Sequence, residues 1–208
     1  MHFLMIARGG LVFVLAPAII IGILLGAAII LSSNTAMLLT IPFGILFMFF
    51  IIFFRDPTRT MSQGVVSPAD GKIVQVDEDH RQISIYMGLL DVHVNRAPWS
   101  GQVVQHKRTS GGYSRASTPA ASDNYSLEWL FATLIGPIKL RQIAGLFARR
   151  IIPYIGEGAS VMKGQRIGLI RFGSRVEVVL PASVKLTVKL GDRVRAGETK
   201  IAEVIHAS

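Results

Sequence analysis

Two long apolar runs open the chain and contrast with everything that follows. Residues 9–31 and 36–54 contain no charged side chain and are separated by the polar link Ser32-Ser-Asn-Thr35. At about 1.5 Å per helical residue, each run is long enough to cross a hydrocarbon core of about 30 Å. The pattern therefore predicts a transmembrane helical hairpin over residues 1–54.

A cleaved signal peptide is the alternative interpretation of the first run. Its apolar part is longer than the core of a typical signal peptide, and a second apolar run follows at once, which favours the hairpin. Arg8 precedes the hairpin, and Arg55 and Arg59 follow it. By the positive-inside rule, both ends then lie in the cytoplasm. We therefore expect residues 55–208 to form a domain on the cytoplasmic face of the cell membrane.

Charge is confined almost entirely to the second part of the chain. The 208 residues include 22 Lys and Arg, 13 Asp and Glu and no cysteine, for a net charge of +9, and Arg8 is the one charged residue before Arg55. A basic domain suits the anionic cytoplasmic leaflet. No nucleic-acid-binding motif is present, so nucleic acid is not an expected partner. Without cysteine, disulfides, thiolate metal sites and a cysteine nucleophile are excluded.

Short alternating stretches between turn residues dominate the chain after residue 54. They predict a mainly β domain, a sandwich or barrel, with strands at residues 71–76, 82–87, 102–105, 138–143, 166–171, 175–180 and 183–190. Residues 126–134 and 144–154 are the two candidates for a short helix. The segment Val161-Met-Lys-Gly164 recurs as Val194-Arg-Ala-Gly197, which is typical of the hairpins of a barrel-sandwich, lipoyl-like domain.

Two features of this domain leave alternatives open. Lys163 in the first repeat would be the modified residue if the domain were a lipoyl-like or biotin-like carrier, although a purely structural hairpin is favoured. The alternative function is then a non-enzymatic membrane-anchored adaptor that docks partners through its barrel. Residues 110–126 are rich in small and polar side chains and are predicted to form a long loop whose role the sequence does not define.

Candidate chemistry is concentrated in three short motifs. His93 lies between Asp91 and Asn95, and the three side chains share one face if the stretch is extended. A histidine beside a carboxylate and an amide is a candidate general base. Asp70 lies in the turn Ser67-Pro-Ala-Asp-Gly71, and the pair Gly173-Ser174 separates two predicted strands. The sequence shows no convincing metal-ligand cluster, so no metal is expected.

In this order, the motifs resemble the short form of the phosphatidylserine decarboxylase family, which includes archaetidylserine decarboxylases. The resemblance covers nearly the whole chain and rests on the apolar hairpin and on the segments Phe53-Phe-Arg-Asp-Pro57, Ser67-Pro-Ala-Asp-Gly-Lys-Ile73, Asp91-Val-His-Val-Asn-Arg-Ala-Pro98 and Gly164-Gln-Arg-Ile-Gly-Leu-Ile-Arg-Phe-Gly-Ser-Arg-Val176. It implies a proenzyme that cuts itself between Gly173 and Ser174. The products would be a large chain, residues 1–173, and a small chain, residues 174–208.

The same resemblance implies the roles of individual residues. Ser174 would attack the carbonyl carbon of Gly173, with His93 as the base and Asp70 orienting it in the manner of a Ser-His-Asp triad. Ser174 would then become a pyruvoyl group, the covalent cofactor, which forms a Schiff base with the lipid headgroup. Asn95 and Arg96 are candidate substrate-binding residues, and the basic pair Arg149 and Arg150 is a weaker candidate.

The resemblance also implies the reaction and the partners. The substrate would be phosphatidylserine in the membrane, and the products would be phosphatidylethanolamine and CO₂. An ester or an ether lipid backbone fits the sequence equally well. The two chains of one precursor would stay associated, and association into a homo-oligomer is expected.

Overall fold

A computed structural model describes residues 5–116, 118–146, 150–172 and 174–205. The chain divides after Pro57 into two compact units. In the first unit, two helices of 20 residues each lie between the members of a short antiparallel strand pair. In chain order the elements are β1 (Met5–Ile6), α1 (Leu11–Ile30), α2 (Asn34–Phe53) and β2 (Arg55–Asp56).

The helices form the predicted apolar hairpin. Both are long and apolar enough to cross a membrane, and they contain Pro17 and Pro42. The Oγ of Ser33 accepts a hydrogen bond from the Ala36 amide at 3.3 Å, so the polar link also caps the start of α2. Near the base of the hairpin, the glycine at position 10 leaves room for the ring of Phe54, with which any Cβ at that position would collide.

The second unit is built from antiparallel strands, which confirms the prediction of a mainly β fold after an apolar hairpin. Its strands are β3 (Val65–Val66), β4 (Gly71–Asp77), β5 (Gln82–Met87), β6 (Val94–Arg96), β7 (Gly101–Thr109), β8 (Ser126–Thr133), β9 (Ile138–Ala144), β10 (Ile151–Pro153), β11 (Ser160–Val161), β12 (Arg166–Ile170), β13 (Ser174–Val179), β14 (Val184–Leu186), β15 (Arg193–Val194) and β16 (Lys200–Val204). A short 3₁₀ helix, Pro119–Asp123, lies in the loop between β7 and β8.

One eight-stranded sheet dominates this unit, in the order β11-β7-β8-β9-β13-β5-β4-β15. Two three-stranded sheets, β10-β12-β6 and β14-β16-β3, complete it. In the large sheet, Ser174 pairs with Met87 of β5 and with Ala144 of β9. We call this end of the strands the Ser174 end. The other end of β13, where Val179 pairs with Gln82 and Lys139, is the opposite end.

The predicted helix at residues 126–134 is wrong, because these residues form β8. Along this strand Leu127, Trp129 and Phe131 are buried, whereas Glu128 and Ala132 are exposed. Burial at every second position is the pattern of a strand with one face on the core. The second predicted helix, residues 144–154, contains β10 instead, and residues 147–149 lie outside the described part of the chain.

The repeated Val-x-x-Gly segments form matching turns. The amide of Gly164 donates to the carbonyl of Ala97 at 2.8 Å, and the amide of Gly197 donates to the carbonyl of Ser67 at 2.9 Å. Both glycines have a left-handed backbone, with φ of 78° and 79°, and a Cβ on either would crowd the side chain of Met61. Glycine is therefore required in both turns.

The matching extends beyond these turns to their partners. The amide of Val66 donates to the carbonyl of Pro98 at 3.1 Å, and the amide of Arg96 donates to that of Pro68 at 2.9 Å. The unit thus contains two matching halves, which we define by residues 65–71 with 194–202, and residues 95–101 with 161–169. This arrangement fits a barrel-sandwich fold.

Candidate active site

Ser174 begins β13 and is fully buried. Its strand lies between β5 and β9, so its backbone is fixed on both sides. The Oγ hydroxyl donates to the sulfur of Met87 at 3.4 Å. A hydroxyl whose hydrogen-bonding neighbour is a weakly accepting thioether is held in place without being strongly solvated.

The residue two positions before Ser174 has an unusual backbone. Phe172 has a φ of 61°, in the left-handed region that a bulky side chain seldom occupies. Such a conformation is unfavourable by about 1–3 kcal/mol and persists where the surrounding fold imposes it. Gly173, the predicted cleavage residue between Phe172 and Ser174, lies outside the described residues.

His93 lies directly before β6 and is fully buried. Its Nδ1 atom is 2.8 Å from the carbonyl oxygen of Asp91. A carbonyl oxygen only accepts, so Nδ1 carries a proton, and in the neutral form of the ring the basic lone pair is on Nε2. The His93 carbonyl accepts from the Ile170 amide at 3.2 Å, which ties the histidine to the strand that leads into Phe172 and Ser174.

Asp70 is buried in the turn before β4 and has partners at both carboxylate oxygens. Oδ2 accepts from the guanidinium of Arg59 at 2.6 Å, and Oδ1 accepts from the amide of Ala196 at 2.8 Å. Arg59 also pairs with Glu198 at 3.0 Å. Burial raises the pKa of Asp70 above its ordinary value, and the Arg59 charge opposes this shift.

The sequence predicted that Asp70 orients His93, and the contacts at Nδ1 show a different orienting group. That proton goes to the Asp91 carbonyl. Asp91 itself lies in a turn rather than on an extended strand, with its carboxylate accepting from the Gly88 amide at 2.8 Å and pairing with Arg193 at 3.1 Å. Asp91 is therefore not on a common strand face with His93 and Asn95.

A row of buried polar side chains leads to the same sulfur that Ser174 contacts. Trp129 Nε1 donates to Gln142 Oε1 at 2.8 Å, and Gln142 Nε2 donates to Asn95 Oδ1 at 2.7 Å. Asn95 Nδ2 then lies 3.6 Å from the sulfur of Met87. All of these side chains are at most 1% exposed, so their amide orientations are fixed by one another. We call this row, Trp129-Gln142-Asn95, the buried amide row.

Gln142 and Trp129 were not predicted as site residues. The sequence signal for Gln142 was its place in the alternation of residues 138–143, where an apolar side chain is expected. A buried amide at such a place needs a hydrogen-bonding partner.

Arg96 was predicted to bind substrate. It is 5% exposed, and its guanidinium donates to the carbonyl of Gly164 at 3.0 Å, within the first Val-x-x-Gly segment, residues 161–164. Arg150 is exposed, whereas Arg149 lies outside the described residues.

The long loop before β8 is anchored beside this site. The Asn124 amide group donates to the carbonyls of Ser114 and Ala144, each at 2.7 Å, and its oxygen accepts from the Ser114 amide at 2.7 Å. Arg175, the residue after Ser174, donates to the carbonyl of Thr118 at 3.4 Å and pairs with Glu177. The loop therefore contacts the strand that starts at Ser174.

The Lys163 ammonium is engaged by the fold. It donates to the carbonyl of Ser62 at 2.8 Å and to that of Gly64 at 3.3 Å, and it lies 5.2 Å from the centre of the Trp99 ring. A carrier lysine must present its ammonium to a modifying enzyme, so these contacts favour the structural interpretation of the repeat. Within the described residues, no group of His, Asp and Glu side chains could hold a metal ion.

Comparison with known proteins gives one family. The family model described as phosphatidylserine decarboxylase matches residues 46–202. A phosphatidylserine decarboxylase proenzyme of Streptomyces coelicolor is 42% identical over 173 residues, which are 81% of this chain and 79% of the relative. The proenzyme of the same name from Aromatoleum aromaticum is 41% identical over 197 residues, 88% of this chain and 92% of the relative.

An archaeal relative carries a different lipid name. A protein of Archaeoglobus fulgidus named as an archaetidylserine decarboxylase proenzyme is 44% identical over 181 residues, 83% of this chain and 89% of the relative. Relatives named for the two lipid classes are thus about equally similar to this chain.

Proposed function

Since the chain belongs to the phosphatidylserine decarboxylase family, we propose that it cuts itself between Gly173 and Ser174 and then decarboxylates a membrane lipid with a serine headgroup. It is a decarboxylase made as a proenzyme, like its relatives. With phosphatidylserine as substrate, the products are phosphatidylethanolamine and CO₂.

The strained backbone just before a buried serine is the observation that carries this proposal. Phe172 holds a left-handed φ of 61°, and Ser174 is fixed in the middle of the large sheet. Strain next to a bond that must break raises the energy of the uncut state relative to the transition state. Residue 173 between them is glycine, which has no Cβ to obstruct an attack on the carbonyl carbon.

The cut proceeds by a shift of the acyl group from nitrogen to oxygen. Ser174 Oγ attacks the carbonyl carbon of Gly173 and the peptide C–N bond breaks, so that an ester joins the two residues. Loss of the ester by β-elimination leaves dehydroalanine at position 174 and a free carboxylate on Gly173. Hydrolysis of the dehydroalanine releases ammonia and leaves a pyruvoyl group at the start of the small chain.

His93 is the proposed base for this sequence. A serine hydroxyl is a weak nucleophile at neutral pH until a base removes its proton. The Asp91 carbonyl holds the His93 tautomer in which Nε2 is the basic atom. The same nitrogen, once protonated, is the proposed acid that delivers a proton to the substrate carbon after CO₂ has left.

Asp70 is proposed to act on His93 through its charge. Its turn is bonded to β6, the strand that follows His93, through the Arg96 amide and the Pro68 carbonyl at 2.9 Å. The contact with Arg59 favours the ionised form of Asp70 against the effect of burial. A buried carboxylate stabilises a histidine that becomes positively charged during the reaction.

The surroundings of Ser174 suit the group that it would become. The position is fully buried, and the Asn95 amide lies beside the sulfur that the Ser174 side chain contacts. When formed, the pyruvoyl group would supply a ketone that can condense with the amine of the serine headgroup, and the resulting conjugated system would take up the electrons left as CO₂ departs, the role that external cofactors play in other decarboxylases. The residues around this position are buried and so exclude water, and Gln142 holds the Asn95 amide in a fixed orientation.

The apolar hairpin is proposed to anchor the enzyme next to its substrate. Arg8 before the hairpin and Arg55 and Arg59 after it place both ends in the cytoplasm under the positive-inside rule. The second unit then works at the cytoplasmic leaflet, where lipids of either backbone class present the same serine headgroup.

Purified protein in proteoliposomes containing phosphatidylserine tests this function directly. We expect the wild-type chain to release CO₂ and to form phosphatidylethanolamine. Ser174→Ala removes the nucleophile and is expected to remain a single chain with no CO₂ release. Ser84→Ala, a change at another fully buried serine of the same sheet, is the matched control. Equal CO₂ release from wild type and Ser174→Ala would contradict the proposal.

A further inference from the structure

Two exposed leucines lie at the Ser174 end of the large sheet. Leu89 and Leu90 are 45% and 68% exposed, and only Gly88 separates them from Met87, the partner of Ser174. Their turn is closed by a hydrogen bond from the Asp91 amide to the Gly88 carbonyl at 3.0 Å and by one from the Gly88 amide to the Asp91 carboxylate. The fold therefore presents both side chains outward on a well-defined turn rather than on a loose loop.

A third apolar residue extends this surface. Leu146 is 46% exposed and follows Ala144, the other partner of Ser174. Scattered single leucines on a surface need no explanation, but these three follow the two strands that pair with Ser174, so we group them as one patch. Exposing such a patch to water is unfavourable, whereas leucine side chains are stable in the headgroup region of a bilayer.

Exposed basic side chains lie at the same end of the sheet as these leucines. Each lies in an element that reaches the Ser174 end: Lys72, Arg108, Arg115, Arg150 and Arg193. Acidic residues are also present at this end. Asp91 pairs with Arg193, the buried Asp70 pairs with Arg59, and Asp123 and Asp192 are exposed. The exposed charged side chains at this end are therefore mostly basic.

The opposite end of the sheet has a different character. The turn between β4 and β5 lies there and carries three consecutive acidic residues, Asp77, Glu78 and Asp79. One leucine, Leu134, is fully exposed at this end, directly after β8. The two ends thus differ in charge while each has exposed apolar side chains, which provides an internal control.

We propose that the Ser174 end docks on an anionic lipid bilayer, with Leu89 and Leu90 entering the headgroup region. The occupant is identified by charge complementarity, because exposed leucines and mostly basic exposed side chains at one end of the sheet fit an anionic apolar interface. The inference rests on the proposed function to the extent that a lipid substrate must reach Ser174, and it adds the surface by which the enzyme meets the lipid.

A single-cysteine label tests this surface in the full-length protein. Because the natural chain has no cysteine, Leu90→Cys and Leu134→Cys each give one labelling site for an environment-sensitive fluorophore. Both variants are reconstituted in vesicles of phosphatidylcholine and phosphatidylglycerol, with and without nitroxide-labelled lipids. We expect severalfold stronger nitroxide quenching at residue 90 than at residue 134, with a blue-shifted emission that weakens when phosphatidylglycerol is omitted.

The other outcomes overturn the inference. Equal quenching at both positions means that the Ser174 end does not face lipid. A blue shift at residue 90 that is insensitive to nitroxide lipids and is lost on dilution of the protein in the membrane means that a second copy covers the patch.

A second variant separates this inference from the proposed function. Leu90→Asp is expected to cut itself like the wild type, because the cut is intramolecular, and to decarboxylate detergent-solubilised lipid normally. Its turnover of lipid in vesicles is expected to fall at least severalfold, and Leu134→Asp is the matched control with wild-type turnover. If Leu90→Asp turns over vesicle lipid at the wild-type rate, the docking surface is refuted. If the wild-type protein does not cut itself at all, the proposed function is refuted instead.

Discussion

The two matching halves of the β unit share their backbone contacts and differ in their side chains. In one half, the Ala196 amide donates to the carboxylate of Asp70 at 2.8 Å, and in the other half the Lys163 amide donates to the hydroxyl of Ser100 at 2.9 Å. A hydroxyl therefore suffices to cap this kind of turn. The second carboxylate oxygen of Asp70 and its ion pair with Arg59 go beyond what the turn requires.

The strands before the two turns differ in the same way. One half has Val65 and Val66 where the other has Asn95 and Arg96, and Gln63 lies where the other has His93. Asp70 and Asn95, and His93 just before one half, thus lie where the halves depart from each other. The halves share their backbone contacts and differ at these three candidate site residues. Replacing a site residue by its counterpart in the other half should therefore remove function with limited damage to the fold.

His93→Gln introduces the side chain found at the matching position of the other half. We expect self-cleavage to slow by a factor of about 10²–10⁴, because glutamine cannot take the Ser174 proton. Gel quantification of the uncut chain over time after cell-free synthesis measures this rate. Circular dichroism should show unchanged strand content, and cleavage at the wild-type rate would remove His93 from the proposed mechanism.

Asp70→Ser makes the turn at Asp70 resemble the matching turn at Ser100. The serine hydroxyl can still accept from Ala196, so the turn should persist, and Arg59 keeps Glu198 as a partner. Cleavage should slow by about 10–100-fold, since a charge interaction of about 1–3 kcal/mol with His93 is lost. The same time course as for His93→Gln gives the rate. If Asp70→Ser lowers the free energy of unfolding but the folded variant cleaves at the wild-type rate, Asp70 serves only to stabilise the turn.

Asn95→Val replaces the amide that ends the buried amide row by the valine found in the other half. Gln142 Nε2 then has lost its acceptor in a fully buried place, which should lower the free energy of unfolding by about 1–3 kcal/mol. Thermal unfolding of the Asn95→Val chain, compared with wild type on a Ser174→Ala background to keep both uncut, measures this loss. An unchanged midpoint would mean that the row does not hold the site together.

Ser100→Ala is the smallest change and the control for Asp70→Ser. It removes the hydroxyl that accepts from the Lys163 amide in an exposed turn, and it should lower the free energy of unfolding by about 0.5–1.5 kcal/mol. Cleavage is expected at the wild-type rate, because Ser100 caps a matching turn as Asp70 does but carries no charge that could act on His93. Slow cleavage in Ser100→Ala would show that either turn controls the site through the fold, and would remove the distinction between the halves.

The sequence was sufficient for the parts of the fold that depend on local pattern. Apolar runs gave the hairpin, and alternation gave most strands of the large sheet. Residues 126–134 were a candidate for a short helix, but Leu127, Trp129 and Phe131 recur with a period of two, which is the period of the strand that forms there. Residues 183–190 form a shorter strand than predicted, Val184–Leu186, because the chain then turns at residues 189–192 toward β15.

The site depends on contacts between distant segments, and these could be predicted only in part. The motif around His93 was visible, but its orienting group is the Asp91 carbonyl, which every residue type provides and no motif reveals. Gln142 meets Asn95 only through the pairing of strands far apart in sequence. The left-handed backbone of Phe172 was equally hidden, because no residue preference marks a strained phenylalanine.

Intact-mass analysis of the purified wild-type chain tests the central claim most directly. Two chains are expected, a large one ending at Gly173 and a small one of residues 174–208 whose mass shows a pyruvoyl group in place of the serine and whose N-terminus resists Edman degradation. The Ser174→Ala chain should give one mass, that of the full sequence. A single unbroken wild-type chain with Ser174 intact would contradict the account.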